Sequence, residues 1–175
     1  MANKELNLKD NLKFIAALFI GVAALGFGSP EAQAVDLTNR LGVGYKNQFS
    51  ENLPSLAAQY YPSESLGLSA ALGVDTESDN SKFGLMLKVY RIVFTERQMN
   101  FYMGAGAGLL SIETAGNSES GFEINGFVGA EFFFAGLESL GFTFETGVSI
   151  VSISSGTRFR SFGDSPLRAG MIFYF

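Results

Sequence analysis

The sequence contains no cysteine, no histidine and no tryptophan, and each absence excludes something. Without cysteine there is no disulfide framework and no thiol to which a lipid could be attached. Without histidine the chain lacks the usual general base near neutral pH, and together the two absences exclude metal sites of the nitrogen and sulfur type. Without tryptophan, any aromatic belt at a membrane interface must be made of tyrosine and phenylalanine.

An excess of positive charge is also missing. Twelve basic residues stand against 17 acidic ones, which leaves a formal net charge of −5. Nucleic-acid-binding domains carry basic patches, so this balance argues against a nucleic-acid partner. Beyond residue 34 no apolar run is long enough for a transmembrane helix.

Residues 1–34 predict a cleavable signal peptide. Three lysines precede an apolar run at residues 14–27, which has the length of a signal core and is short for a membrane span. Ala32-Gln33-Ala34 then supplies a small-x-small cleavage pattern. The alternatives are a buried helix or a retained anchor. We therefore expect residues 1–34 to be the signal peptide and residues 35–175 to be one mature domain.

In residues 35–175 apolar side chains alternate with small or polar ones, and polar clusters separate the alternating runs. This pattern predicts strands and turns rather than helices. The alternation breaks at Leu110, Ile112 and Val151, which fall on the polar face. Polar loops are predicted at residues 76–81, 115–121 and 154–164. The predicted strands, which form an up-and-down meander, are residues 37–49, 54–61, 66–75, 82–93, 99–112, 122–134, 140–153 and 168–175.

The two faces of these strands decide where such a meander would sit. A soluble barrel has its apolar face inside and needs charge outside. Here one face is Leu, Val and Phe, and the other is mostly Gly, Ser, Ala, Asn and Thr. Small residues suit a crowded lumen, and the apolar face suits lipid. The sequence therefore predicts an all-β fold, a transmembrane eight-stranded antiparallel up-and-down β-barrel.

A few charged residues lie on the less apolar face, and their signs balance. Buried charges are costly unless they are paired, so balance is expected of a lumen and not of a solvated surface. The pattern therefore predicts a charge network inside the barrel. Its candidate members are Arg40, Lys46, Lys88, Arg168, Asp75, Glu123, Glu131 and Glu145.

The last eight residues end on an aromatic side chain. Arg168, Gly170, Phe173 and Phe175 meet the pattern polar, any, Gly, any, any, aromatic, any, aromatic. This pattern resembles the C-terminal signal that the outer-membrane assembly machinery reads in bacterial barrels. The alternative is an ordinary edge strand that happens to be last.

With the signal peptide and the meander, the mature chain resembles the small eight-stranded outer-membrane barrels of the OmpA/OmpX/OmpW type. The resemblance implies an outer-membrane location in a Gram-negative bacterium, with both termini periplasmic. It also implies contact with the assembly machinery, membrane lipid and lipopolysaccharide, and a monomer. The chain differs from the OmpA type in having no peptidoglycan-binding domain after the last strand, and from the OmpX type in having short outer loops without long protruding strands.

No catalytic, cofactor or metal site is expected. Lipid A deacylases and palmitoyl transferases share this size, and resemblance to them would imply a catalytic His with a Ser, which this chain cannot supply. Glu123 or Glu145 beside an inward Ser is the substitute that remains in principle. Residues 75–79 fit a solvated acidic loop better than a calcium loop. The glycines at 104, 106 and 108 make room for neighbouring aromatics or, alternatively, leave a small water-filled cavity.

Two functional hypotheses follow. In the first, the barrel has a structural or interaction role at the envelope and acts through its outer loops and lipopolysaccharide. Arg158 and Arg160 would hold phosphate, while Phe159 or Phe162 anchors the loop. The alternative for this loop is a polar segment whose arginines pair with Asp164 or with nothing. In the second hypothesis the barrel is a narrow, porin-like conduit for a small or hydrophobic solute.

Overall fold

The structure is a computed structural model that describes residues 35–161 and 167–175. The predicted signal peptide and Phe162 lie outside these ranges. No helix in the described ranges is long and apolar enough to span a membrane. The strands of the described part are β1 (Leu41–Asn47), β2 (Pro54–Ser63), β3 (Leu66–Asp75), β4 (Lys82–Glu96), β5 (Met99–Thr114), β6 (Asn117–Phe134), β7 (Leu137–Ile153), β8 (Gly156–Arg160) and β9 (Arg168–Tyr174).

The strands close into an antiparallel barrel. Each strand from β1 to β7 pairs with the next, β7 pairs with β9, and β9 returns to β1. Glu145 faces Arg168 across the first of these closing ladders, and Gly42 faces Tyr174 across the second. The wall of the barrel thus consists of β1–β7 and β9, and β8 pairs with β7 alone. Closure leaves no open edge among these eight wall strands, which confirms the predicted fold. We call the end that holds Leu41 and Tyr174 the lower rim, and the opposite end the upper rim.

The two faces of the wall are those that the alternation predicts. Outward side chains are apolar and exposed, as at Leu56 (71%), Leu87 (57%) and Ile124 (51%). Inward side chains are polar or aromatic and buried, as at Lys88 (4%) and Glu131 (0%). An apolar belt around a polar interior is the inverse of a soluble barrel. The alternation is a local property of each strand, so the sequence alone was sufficient to assign these faces.

Two of the predicted loops are wrong in part. The loop predicted at residues 115–121 is a tight turn at Ala115 and Gly116, both with positive φ (50° and 77°), and β6 begins at Asn117. The segment predicted as a long loop at 154–164 contains β8, which pairs with the last residues of β7. The residues of β8 are small or polar on both faces of the strand apart from Phe159, so no period of two is visible in the sequence.

The first predicted strand also ends too late. β1 stops at Asn47, and the chain then turns into the barrel, where Phe49, Ser50 and Leu53 are buried. We call residues 48–53 the inward loop. The Phe49 ring fills the space over Gly84, where an added Cβ would lie 2.6 Å from its Cζ. The inward loop therefore occupies the upper part of the lumen.

This loop accounts for two of the three breaks in alternation, those at Leu110 and Val151. Leu110 is the register partner of Gly84, over which Phe49 lies, and is 2% exposed. Val151 is the register partner of Glu123, which binds Ser50, and is also buried. Apolar side chains are stable at these inward positions because they are in contact with other protein atoms and not with water.

Candidate functional site

The centre of the lumen is held by one carboxylate with two lysines. Glu145 on β7 lies 3.1 Å from Nζ of Lys46 on β1 and 2.5 Å from Nζ of Lys88 on β4. The Tyr102 hydroxyl donates a third hydrogen bond to it at 3.1 Å. All four side chains are buried, so these charge-assisted bonds are weakly screened. They tie three separate parts of the wall together across the interior.

Above this centre, Arg168 and Glu123 bind the inward loop. Arg168 Nη2 lies 3.0 Å from Glu123 Oε1 and 2.9 Å from the Ser50 hydroxyl, and its Nη1 donates to the carbonyl oxygen of Gln48. The Ser50 backbone nitrogen donates to Glu123 Oε2 at 2.9 Å. Arg168, the first residue of the C-terminal motif, thus binds groups inside the barrel.

Below the centre, Glu131 is held by neutral donors. The hydroxyls of Tyr61 and Tyr174 donate to its two oxygens at 2.6 and 2.5 Å. Gln59 Nε2 in turn donates to both hydroxyls at 2.9 and 2.7 Å, while Gln59 Oε1 accepts from Lys46 at 3.3 Å. The amide of Gln59 therefore connects the Lys46 ammonium to the Glu131 carboxylate.

Two of the predicted lumen charges lie elsewhere. Arg40 lies at the lower rim, where it donates to the backbone carbonyls of Glu138 (3.4 Å) and Tyr174 (3.3 Å). Asp75 lies at the upper end of β3 and accepts from the backbone nitrogen of Glu77 at 3.2 Å. The structure brings the other six together: Lys46, Lys88, Arg168, Glu123, Glu131 and Glu145, a set with three charges of each sign.

The neutral members of this network were not predicted from the sequence. Gln59, Tyr61 and Tyr174 occupy inward positions of β2 and β9, which the alternation could have revealed. Ser50 carried no such signal, because it lies in the inward loop.

The lumen is filled rather than hollow around its glycines. The rings of Tyr90 and Tyr102 pack with centroids 4.8 Å apart. A Cβ added at Gly104 would lie 2.5 Å from the Tyr90 Cβ, and one at Gly106 would lie 2.7 Å from the Lys88 Cγ. These glycines therefore make room for large neighbouring side chains. Of the two alternatives given for the glycines at 104, 106 and 108, this one, and not a water-filled cavity, agrees with the structure.

The two candidate carboxylates differ in whether a serine lies beside them: the bonds described for Glu145 go to Lys46, Lys88 and Tyr102. Glu123 does lie close to two serines, since Ser50 bonds to it and to Ser149 (Oγ–Oγ 2.5 Å). Its oxygens are already bound by Arg168 and by the Ser50 backbone, and the group is fully buried. Among residues 35–161 and 167–175 no group of three His, Cys, Asp or Glu is placed to hold a metal ion.

The candidate lipopolysaccharide contacts that the structure describes in the segment predicted as the loop 154–164 lie on two faces of β8. Phe159 pairs with Ile150, lies on the apolar outer face and is 72% exposed. Arg158 and Arg160 lie on the opposite face, since their register partners Val151 and Ser149 face the lumen. Arg160 donates to Glu51 of the inward loop at 2.7 Å. Arg158 is exposed and forms no ion pair within the described part of the chain.

The residues of the C-terminal motif lie in different surroundings, some on the outer face of the barrel and some against the lumen. Phe173 and Phe175 point outward and are 54% and 66% exposed. The backbones of Phe175 and Leu41 exchange two hydrogen bonds, of 3.0 and 3.3 Å, which end the closing ladder. A Cβ added at Gly170 would lie 2.3 Å from the Lys46 Cγ, so this glycine leaves the path of the lysine free.

The crystal structure of the N-terminal β-barrel domain of Pseudomonas aeruginosa OprF is similar to this chain. The TM-score is 0.55 at 14% sequence identity, and the match covers 79% of this chain and 98% of that domain. No family model and no curated protein matches the sequence. The likeness confirms the fold predicted from the sequence, an eight-stranded antiparallel β-barrel. It does not transfer a function, because function resides in sites and not in folds.

Proposed function

We propose that this chain is an integral outer-membrane barrel that acts at the bacterial surface through its upper rim and its contact with lipopolysaccharide. The observation that carries the proposal is the inversion of polarity. The exposed face of the wall is apolar, and the interior holds a charge network whose members bind one another. Such a wall is stable only where lipid surrounds it.

The direction of insertion follows from strand number. An even number of wall strands places the start of β1 and the end of β9 at the same rim. If that lower rim faces the periplasm, the terminal strand is available to the assembly machinery by strand addition. The upper rim, with β8 and the inward loop, then lies at the level of the lipopolysaccharide head groups.

β8 has the chemistry for such a contact. Phe159 faces the same side as the lipid-facing residues of β7, so its ring can enter the apolar part of the outer leaflet. Arg158 stands on the opposite face with an exposed guanidinium, and arginine binds phosphate through two parallel hydrogen bonds. Together they would hold one lipid by its apolar part and its phosphate.

The test is binding of lipopolysaccharide by the refolded, full-length mature barrel. We expect Arg158→Ala to weaken binding several-fold, because it removes a charge-assisted contact. Arg97→Ala is the matched control, since Arg97 is an exposed arginine at the lower rim, far from β8. No measurable binding by the unaltered barrel, or equal losses in the two variants, would refute the proposed contact.

A further inference from the structure

One ion pair connects the inward loop to β8 at the upper rim. Arg160 Nη1 lies 2.7 Å from Glu51 Oε1, and the two side chains are 18% and 23% exposed. The remaining charged pairs of the lumen that the structure describes are 2% exposed or less. The Glu51–Arg160 pair is therefore the one that a ligand outside the barrel can reach.

The same arginine belongs to a pair of arginines on one face of β8. Arg158 and Arg160 are two positions apart on this strand, which separates their Cα atoms by roughly 7 Å. Their side chains point to the same side of the strand, toward the mouth of the lumen. A phosphate held by Arg158 thus lies within reach of a guanidinium that Glu51 already occupies.

We propose that Glu51 is an internal competitor for this phosphate site, and that the Glu51–Arg160 pair is an anion-sensitive latch. Phosphate bound by Arg158 and Arg160 displaces the Glu51 carboxylate and frees the exposed end of the inward loop from β8. The inference rests on the proposed lipopolysaccharide contact and adds to it a change in the loop that follows from binding.

The energetics favour exchange at this position. A partly exposed ion pair contributes little net stability, because both groups are well solvated when apart. Phosphate offers Arg160 a negative charge at least as large as that of the carboxylate, together with a second contact at Arg158. Replacement of Glu51 by phosphate thus exchanges one weak contact for two.

Displacement is expected to be local. Phe49 and Leu53 anchor the inward loop against the wall, and Ser50 stays bound to Glu123. Glu51 and the exposed Asn52 are the residues between these anchors. Release of the latch therefore loosens residues 51 and 52 and leaves the barrel closed.

Binding and release are linked reciprocally. If phosphate must displace Glu51, removal of the carboxylate must strengthen phosphate binding. We expect Glu51→Gln to raise the affinity about two- to fivefold, which is the range for an ion pair of this exposure. Glu77→Gln is the matched control, because Glu77 is an exposed carboxylate of the β3–β4 loop and does not bind Arg160.

The chain has no cysteine, so Asn52→Cys gives a unique position for a spin label. The labelled full-length mature barrel would be titrated with lipopolysaccharide and, separately, with inorganic pyrophosphate. We expect the label to become more mobile on binding, and to be mobile without ligand in the Glu51→Gln background. A response to both ligands assigns recognition to the phosphate, and a response to lipopolysaccharide alone assigns it to the lipid head group.

The failures of the two proposals are distinguishable. If lipopolysaccharide binds in an Arg158-dependent way while Glu51→Gln changes neither affinity nor label mobility, the latch is refuted and the contact stands. If neither ligand binds, the contact is refuted and the latch with it. Retention of the heat-modifiable barrel in every variant verifies that each comparison is made on folded protein.

Discussion

At the scale of single residues, Glu145 is the buried carboxylate on which the centre of the lumen network depends. It alone among the described carboxylates binds two buried lysines, and it also accepts from Tyr102. Its removal would leave two ammonium groups in the lumen without their direct partner. Buried charges that lose their partner are far more costly than an absent pair.

Glu145→Ala should therefore destabilise the barrel by about 3–5 kcal/mol. The measurement is the free energy of unfolding in urea, with the barrel folded in lipid vesicles. Glu138→Ala is the control, because Glu138 is an exposed carboxylate of the β6–β7 turn region, and it should cost less than about 0.5 kcal/mol. Equal costs in the two variants would mean that the lumen charges are solvated rather than paired.

A second residue-scale prediction concerns Gly170. Gly170→Ala places a methyl group 2.3 Å from the Lys46 Cγ and 2.9 Å from the Tyr45 carbonyl oxygen, so that lysine must move away from Glu145. We expect a loss of about 1–3 kcal/mol in the same unfolding measurement.

Gly126→Ala is the control for this change. A Cβ added at Gly126 meets nothing within 4 Å, and the position lies on the outer face of β6. The stability of this variant should be unchanged or slightly increased. A comparable loss at both glycines would show that the strands cannot tolerate a side chain at either, whatever surrounds it.

At the scale of elements, β9 has two separate tasks. Its inward residues Arg168 and Tyr174 complete the lumen network, while its outward aromatics face the lipid. The C-terminal motif therefore combines inward positions that bind other lumen residues with outward aromatic positions that stay exposed in the folded barrel. These tasks can be separated by mutation, because they lie on opposite faces.

Deletion of Phe175 should reduce the amount of folded barrel in the outer membrane. It removes the terminal aromatic of the motif and two backbone hydrogen bonds to Leu41. The measurement is the heat-modifiable fraction in isolated outer membranes. Phe134→Ala serves as the control, since Phe134 is another exposed aromatic near the lower rim. An undiminished fraction after deletion of Phe175 would exclude the motif as an assembly signal.

At the scale of the whole molecule, the filled interior determines whether the barrel conducts. Eight strands enclose little more than their own side chains. Here Tyr90, Tyr102 and the Glu145 pairs cross the lumen, and the inward loop covers it from above. These contacts favour the structural hypothesis over the conduit.

Recordings in planar bilayers should accordingly show no stable opening for the refolded barrel. A large porin reconstituted in the same lipid is the positive control for the recording. Stable conductance of porin size would contradict the structural role and favour the narrow conduit. Small, irregular events would be compatible with transient rearrangement of the lumen charges.

Much of this architecture was accessible from the sequence. All eight wall strands were predicted with bounds within five residues, and the largest differences lie at the starts of β1 and β6. The apolar outer face and the polar inner face were assigned correctly along each of them. The short strand β8 was not predicted. Alternation with period two belongs to each strand by itself, so it needs no knowledge of the neighbours. The same pattern predicted eight inward charges, of which six lie in the lumen, while Arg40 and Asp75 lie at the rims.

What the tertiary structure decided is which groups meet. Lys46 and Glu145 are 99 positions apart, and Lys88 and Glu145 are 57 apart, so their contacts exist only after closure of the barrel. The inward turn of residues 48–53 was equally hidden, because apolar Phe49 fits a strand that continues as well as it fits a loop that enters the lumen. Local pattern determines the face on which a residue lies, whereas the partner it meets there depends on how distant strands come together.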